Sequence, residues 1–126
     1  MAKDQVEASI AADPATVWAA VGDFGGVGEF LPGIDAVRLE GEDRIIAMGG
    51  MEIRERLVAK DDSARALTYS VIEGVPVTRH EATMTVSPAD EGCLVTWAFE
   101  IEPDEMAPVF ADVYRQGLEG LRKNLS

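Results

Sequence analysis

The sequence predicts an α+β domain in which a curved antiparallel sheet is closed on one face by a single long C-terminal helix. Three observations carry this expectation. A strand-like segment and a short helical one open the chain; six further strand-like segments then follow with only short turns between them; and the last stretch has the spacing of an amphipathic helix. Consecutive strands joined by short turns pair antiparallel, and such a sheet twists and curls. One long helix then has only the sheet's apolar face to cover.

Each element has its own signal. Residues 4–12 alternate Val6, Ala8 and Ile10 against Gln5, Glu7 and Ser9, which is the pattern of a half-buried strand. In "DPATVWAAVGDF", Asp13 is a capping residue and Pro14 suits the first helical position. Val17, Trp18 and Val21 form an apolar stripe that Gly22 ends. Trp18 reads as a core residue. The Gly-rich "FGGVGEFLPGI" is too short for a long helix but gives a second helical turn or two, anchored by Phe24, Val27, Phe30 and Leu31. Strands are expected at 34–40, 43–48, 51–60, 65–73, 76–87 and 93–102, with Gly49-Gly50, Glu73-Gly74-Val75-Pro76 and "SPADEG" as turns. From Pro103 to Asn124, the residues Met106, Val109, Phe110, Val113, Tyr114, Leu118 and Leu121 recur at helical spacing, and Leu125 continues the series. Gly117 and Gly120 interrupt this helix, either as tolerated defects or to make room at a cavity.

Composition narrows the function classes. The 126 residues, 47% hydrophobic and 27% charged, suit a single globular domain spanning 1–126. The formal net charge of −12, with no offsetting basic run, argues against nucleic acid and anionic membrane surfaces as partners. No apolar run is long enough to cross a bilayer, so membrane insertion is not expected. One cysteine and one histidine make a zinc centre improbable, and no motif calls for a cofactor. The lone Cys93 and the absence of a signal-peptide layout fit a cytoplasmic protein. Homodimerisation is left open.

The stretch "MGGMEIRERL" holds the first functional hint, because Glu55 falls in line with the apolar Met51, Ile53 and Leu57. A Gly-Gly loop suits a type I′ turn, whose two central residues need positive φ. Such a turn pairs Met48 with Met51, Ile46 with Ile53 and Arg44 with Glu55. Directly opposed residues have Cβ atoms roughly 4.5–5.5 Å apart, so an inward guanidinium meets the inward carboxylate. A comparable turn at Gly74-Val75 would pair Tyr69 with His80, Leu67 with Ala82 and Val71 with Thr78. Glu55 would then lie beside Tyr69 or one step away, and His80 near Trp97 or Phe99. Arg44, Glu55, Tyr69 and His80 form the expected polar band, flanked by Ile46, Met48, Met51, Ile53, Leu57, Val71, Met84 and Trp97. A few convergent polar groups in an apolar concavity is the usual make-up of a small-molecule site.

Several segments together resemble the START-like (SRPBCC) superfamily, the birch-pollen-allergen fold: "ADPATVWAAVGDF", "FLPGI", "IRERLVAKDDSARALTYSVIEGVPV", "ATMTVSP" and "VTWAFE". Its small bacterial polyketide cyclase/dehydrase branch is the nearest match. The resemblance implies a helix-grip fold, with seven strands around the last helix and a hydrophobic cavity between. It also implies lipid, hormone or polyketide-like ligands, and in some members cyclase or dehydratase activity. Arg44, Glu55 and Tyr69 match the branch's recurrent polar positions on the inner sheet. The chain departs from the branch at His80, where an aromatic is common, and at Phe30, before Leu31-Pro32, where Trp-X-Pro is common.

The leading expectation is therefore binding of a hydrophobic small molecule. Phe30, Ile46, Met48, Ile53, Leu57, Val71, Met84, Trp97, Phe99, Phe110, Val113 and Gly117 are the expected contacts. The alternative is a polyketide cyclase or dehydratase. There His80 would be the base, Tyr69 and Arg44 would donate to an oxyanion, and Glu55 would orient Arg44 or share the base role. A protein-interaction module is a third class, which would show itself as an exposed apolar patch.

Overall fold

The computed structural model describes residues 2–126. The chain runs β1 (Ala2–Ile10), α1 (Pro14–Val21), a 3-10 turn (Phe24–Glu29), β2 (Ile34–Glu40), β3 (Asp43–Met48), β4 (Met51–Asp61), β5 (Ala66–Glu73), β6 (Arg79–Ala89), β7 (Gly92–Glu102), a second 3-10 turn (Asp104–Met106) and α2 (Ala107–Leu125). The seven strands form one antiparallel sheet in the order β1-β7-β6-β5-β4-β3-β2. The α+β class, the seven strands and the two short helical segments after β1 are those the sequence predicts.

Local chemistry accounts for the element ends. Asp13 caps α1, its carboxylate accepting the Ala15 N–H at 3.1 Å, and Pro14 occupies the first turn, where no N–H is needed. The long helix starts at Ala107, later than expected, because Pro108 is tolerated only in a first turn. Residues 104–106 instead form the tighter 3-10 turn. Likewise β6 begins at Arg79 and not at Pro76, since proline cannot donate to a central ladder.

The core lies between the inner sheet face and α2. Along β7, Cys93, Val95, Trp97, Phe99 and Ile101 alternate inward and are buried; on β6, His80, Ala82, Met84 and Val86 do the same. From α2, Ala107, Ala111, Tyr114, Gly117, Leu118 and Leu121 are buried. Gly117 and Gly120 prove to be close-approach positions. A methyl group at Gly117 would stand 2.9 Å from the Trp97 ring and 3.0 Å from Leu31, and one at Gly120 would overlap the Phe30 carbonyl. Trp18 is only partly buried; its indole donates to Asp62 at the surface, 3.0 Å away. It belongs neither to the deep core nor to the cavity described below.

Two hairpins position the polar groups. In β3–β4, Gly49 and Gly50 both have positive φ (56° and 84°), and the register is the expected one, with Met48 opposite Met51, Ile46 opposite Ile53 and Arg44 opposite Glu55. The β5–β6 hairpin differs. Tyr69 faces Ala82 and Leu67 faces Met84, a shift of two residues from the expected register, and pairing stops at Tyr69. Beyond that point the strands separate. Residues 71–73 pair only with β4 and residues 79–81 only with β7, where His80 faces Ile101, not Trp97 or Phe99. The imidazole fills the split. His80 Nδ1 accepts the Val71 N–H at 3.1 Å, replacing a ladder carbonyl, while Ser70 Oγ donates to the His80 carbonyl.

Candidate functional site

An interior cavity of about 310 Å³ lies between the inner sheet face and α2. The β3–β4 hairpin supplies Arg44, Ile46, Met48, Met51, Ile53 and Glu55; β5 supplies Tyr69 and Val71; β7 supplies Trp97. Helix α2 closes it with Val109, Phe110, Val113 and Tyr114, joined by Met106. Val27 and Leu31 come from the Gly-rich segment and Val75 and Pro76 from the β5–β6 loop. Met51 and Val109 are also among the most exposed large apolar side chains, 48% and 53% accessible, so the cavity reaches the surface between the hairpin tip and the start of α2.

Its polar wall has two parts. In the first, Arg44 Nε donates to Glu55 Oε1 (2.8 Å), Nη2 lies 2.7 Å from the same oxygen in the ion pair, and Nη1 donates to the Phe24 carbonyl at 2.9 Å. Its guanidinium also lies against the Phe24 and Tyr69 rings, 4.1 and 4.7 Å from their centroids. Both charges are buried, and each is met by the other. Pairing of this kind is what makes a charge tolerable inside an apolar interior. This answers why a carboxylate sits among the apolar residues of β4.

The second part is a chain of aromatic groups. The Trp97 indole donates to Tyr69 Oη (3.2 Å), the Tyr69 and Tyr114 hydroxyls are 3.1 Å apart, and Tyr114 Oη is 2.8 Å from His80 Nε2. Trp97 and Tyr114 also stack, with ring centroids 4.1 Å apart. Burial pushes both phenol pKa values up, with the Glu55 charge adding to it, so both hydroxyls keep their protons. Burial also pushes the His80 pKa down to about 4, so the imidazole is neutral at pH 7.

Arg44, Glu55, Tyr69, Ile46, Met48, Ile53, Val71, Trp97, Phe110 and Val113 thus come together on one cavity wall or another. His80 does not line the cavity and sits behind Tyr114. Phe30, Leu57, Met84, Phe99 and Gly117 also stand outside the lining. Phe30 packs edge-on against Trp97 and Phe99 edge-on against Tyr114; Leu57 stands opposite Tyr69. Tyr114 is the group that site reasoning from the sequence missed. The available signal was a tyrosine in an apolar helical stripe, whose buried hydroxyl needs a partner. Among the described residues there is no cluster of three side chains able to hold a metal, and no helix long and apolar enough to cross a membrane.

A curved seven-stranded sheet gripping a C-terminal helix, with a cavity between, defines a START-like helix-grip domain. The chain belongs to the polyketide cyclase / dehydrase and lipid transport family, which it matches over residues 1–126. It is similar to the protein XoxI from Bacillus cereus (32% identity, covering 99% of this chain and 96% of that one, TM-score 0.93). A solution structure from Thermobifida fusca is also similar (32% identity, 98% and 93% covered, TM-score 0.86). Norcoclaurine synthase from Thalictrum flavum, solved with dopamine and hydroxybenzaldehyde, shares the fold at 18% identity (98% and 85% covered, TM-score 0.75). No curated protein matches the chain.

Proposed function

We propose that the protein binds a hydrophobic small molecule, lipid or polyketide-like, in the cavity between sheet and α2. One observation carries this reading: a cavity of about 310 Å³ whose lining is apolar except for the Arg44–Glu55 pair and two phenols. Apolar space with a few fixed polar groups is how small-molecule sites are built. The family's description, which joins polyketide cyclase and dehydrase to lipid transport, supports the same reading. Native mass spectrometry and dye displacement against a panel of lipids and polyketides test it. Saturable, stoichiometric displacement is expected, and a protein that displaces no dye and retains no panel member would refute it.

A second reading, catalysis of a cyclisation or dehydration, is favoured by one feature: Arg44, Glu55 and Tyr69 face the same cavity. In that reading Glu55 is the better candidate base. His80 is outside the lining, and its Nδ1 lone pair is already taken by the Val71 amide. Turnover lost in Glu55→Gln but kept in His80→Gln, with ligand affinity unchanged in both, would establish it. Turnover unaffected by either change would dismiss these roles.

A further inference from the structure

The groups around the two phenols carry one proton more than they have acceptors. Because His80 Nδ1 accepts the Val71 N–H, the neutral imidazole carries its proton on Nε2. That proton goes to Tyr114 Oη, 2.8 Å away. The Trp97 indole, a donor only, gives its proton to Tyr69 Oη. Each phenol oxygen therefore already receives a nitrogen-borne proton. The single link between the hydroxyls uses one of their two protons, whichever way it runs. The other hydroxyl proton has no acceptor among the described residues. Both tyrosines are almost fully buried, at 1% and 4% accessible, and both face the cavity.

We infer that this surplus phenolic O–H is the donor that reads the ligand, and that the ligand is a neutral apolar molecule presenting a carbonyl oxygen to the Tyr69–Tyr114 pair. The inference rests on the cavity being the binding site. With no protein acceptor, this O–H is satisfied only by what occupies the cavity, so a molecule that fills the cavity must bring an acceptor of its own or leave the hydroxyl unpaired. Neutrality follows from the other half of the wall. The Arg44 charge is met by Glu55 at two nitrogens, so it has little to offer an anionic headgroup, and an anion here would face the Glu55 carboxylate in a low-dielectric space. The raised phenol pKa values keep the donor protonated at any physiological pH. His80 is a positioning residue in this scheme: by holding its own proton toward Tyr114, it stops Tyr114 from donating back to the imidazole.

Three naphthalenes of matched size test this by isothermal titration calorimetry: 2-acetylnaphthalene, 2-isopropylnaphthalene and 2-naphthoate. The ketone should bind about tenfold tighter than either of the others, the size of effect one hydrogen bond gives. With carbon-13 at its carbonyl, its resonance should move downfield of the value in hexane. Equal affinity for ketone and hydrocarbon, with a hexane-like resonance, would overturn the phenolic donor while leaving hydrophobic binding intact. Tightest binding of the carboxylate would overturn neutrality. Binding of none of the three would overturn this inference, while the lipid and polyketide panel decides the binding reading beneath it. In Tyr69→Phe/Tyr114→Phe the ketone should fall to the hydrocarbon's affinity, with the hydrocarbon within about twofold of its original value. If that variant does not fold, the carbonyl resonance in the unaltered protein decides.

Discussion

Two clusters of arginine and carboxylate sit back to back on the β3–β4 hairpin, and they differ in what surrounds them. Arg44 and Glu55 point inward, where the guanidinium's other contacts are the Phe24 carbonyl and two aromatic rings. One residue away, Asp43 points to the opposite face and accepts from Arg54 (2.6 Å) and Arg56 (2.8 Å). Arg54 also reaches Glu40, and Arg56 is half-exposed to water. The strand's period of two sets the faces. Arg44, Glu55 and Asp43 are all under a tenth accessible, but Arg44 and Glu55 have only each other as charged partners, whereas Asp43 has two guanidiniums, one of them half in water. A pair of the same chemical type is thus structurally indispensable on one face and replaceable on the other.

The largest expected effect breaks the inner pair. Glu55→Ala leaves the Arg44 guanidinium buried and unpaired, a situation that costs about 3–5 kcal/mol. Urea denaturation should show that loss, with a midpoint well below that of the unaltered protein. A loss under about 1 kcal/mol would mean that water already reaches the pair.

Acidification separates the interior from the outer cluster by pH window. His80, with its pKa lowered from 6.5 to about 4, stays neutral in the fold while the unfolded chain takes up a proton. Its contribution is therefore complete above pH 6.5 and declines as pH falls toward 4, by about 3 kcal/mol in total. Asp43, held at about 2 by hydrogen bonds from Arg56 and Arg54, loses its contribution only between pH 3.8 and 2. Stability measured from pH 7 to 4 should fall less in His80→Gln than in the unaltered protein. Parallel curves would show that the imidazole is not shielded.

The two inward hairpins show what a sequence makes legible. At β3–β4 the turn needs two residues with positive φ, Gly49 and Gly50 supply them, and every pair down to Arg44–Glu55 follows from counting. At β5–β6 the loop contains a proline and the strands part after Tyr69, because the His80 side chain, and not a backbone carbonyl, takes the Val71 N–H. A side chain that substitutes for a ladder bond leaves no periodic trace, so counting from the turn gave Tyr69 the wrong partner. The same limit hid Tyr114. Helical spacing marks it as inward but does not show that its hydroxyl joins Tyr69 and His80. Pairing of strand residues was legible where the turn was local, and contacts between sheet and helix were not.

Gly120 probes the packing that holds α2 against the Gly-rich segment. Replacing a helical glycine by alanine normally favours the helix by about 1 kcal/mol. Here the added methyl would overlap the Phe30 carbonyl, so backbone must shift. Overpacking of that kind costs about 1–3 kcal/mol, and Gly120→Ala should be less stable than the unaltered protein in thermal unfolding. A raised melting temperature would mean that the Phe30 segment yields freely.

The smallest effect is expected on the outer face. Arg56→Ala removes one of two guanidinium partners from Asp43 but leaves Arg54 at 2.6 Å, so the carboxylate is still paired. Asp43 is itself buried, but half the Arg56 side chain is in water already, and a half-exposed cation beside a carboxylate that keeps another partner contributes about 0–1 kcal/mol. Its loss should therefore stay below about 1 kcal/mol and shrink further in high salt, which screens exposed charges more than buried ones. Measured beside Glu55→Ala in one buffer series, the two variants turn the contrast between faces into a ratio. A salt-insensitive loss at Arg56 as large as that at Glu55 would show that Arg54 alone does not satisfy the buried Asp43, and that the asymmetry of the hairpin lies only in its direction.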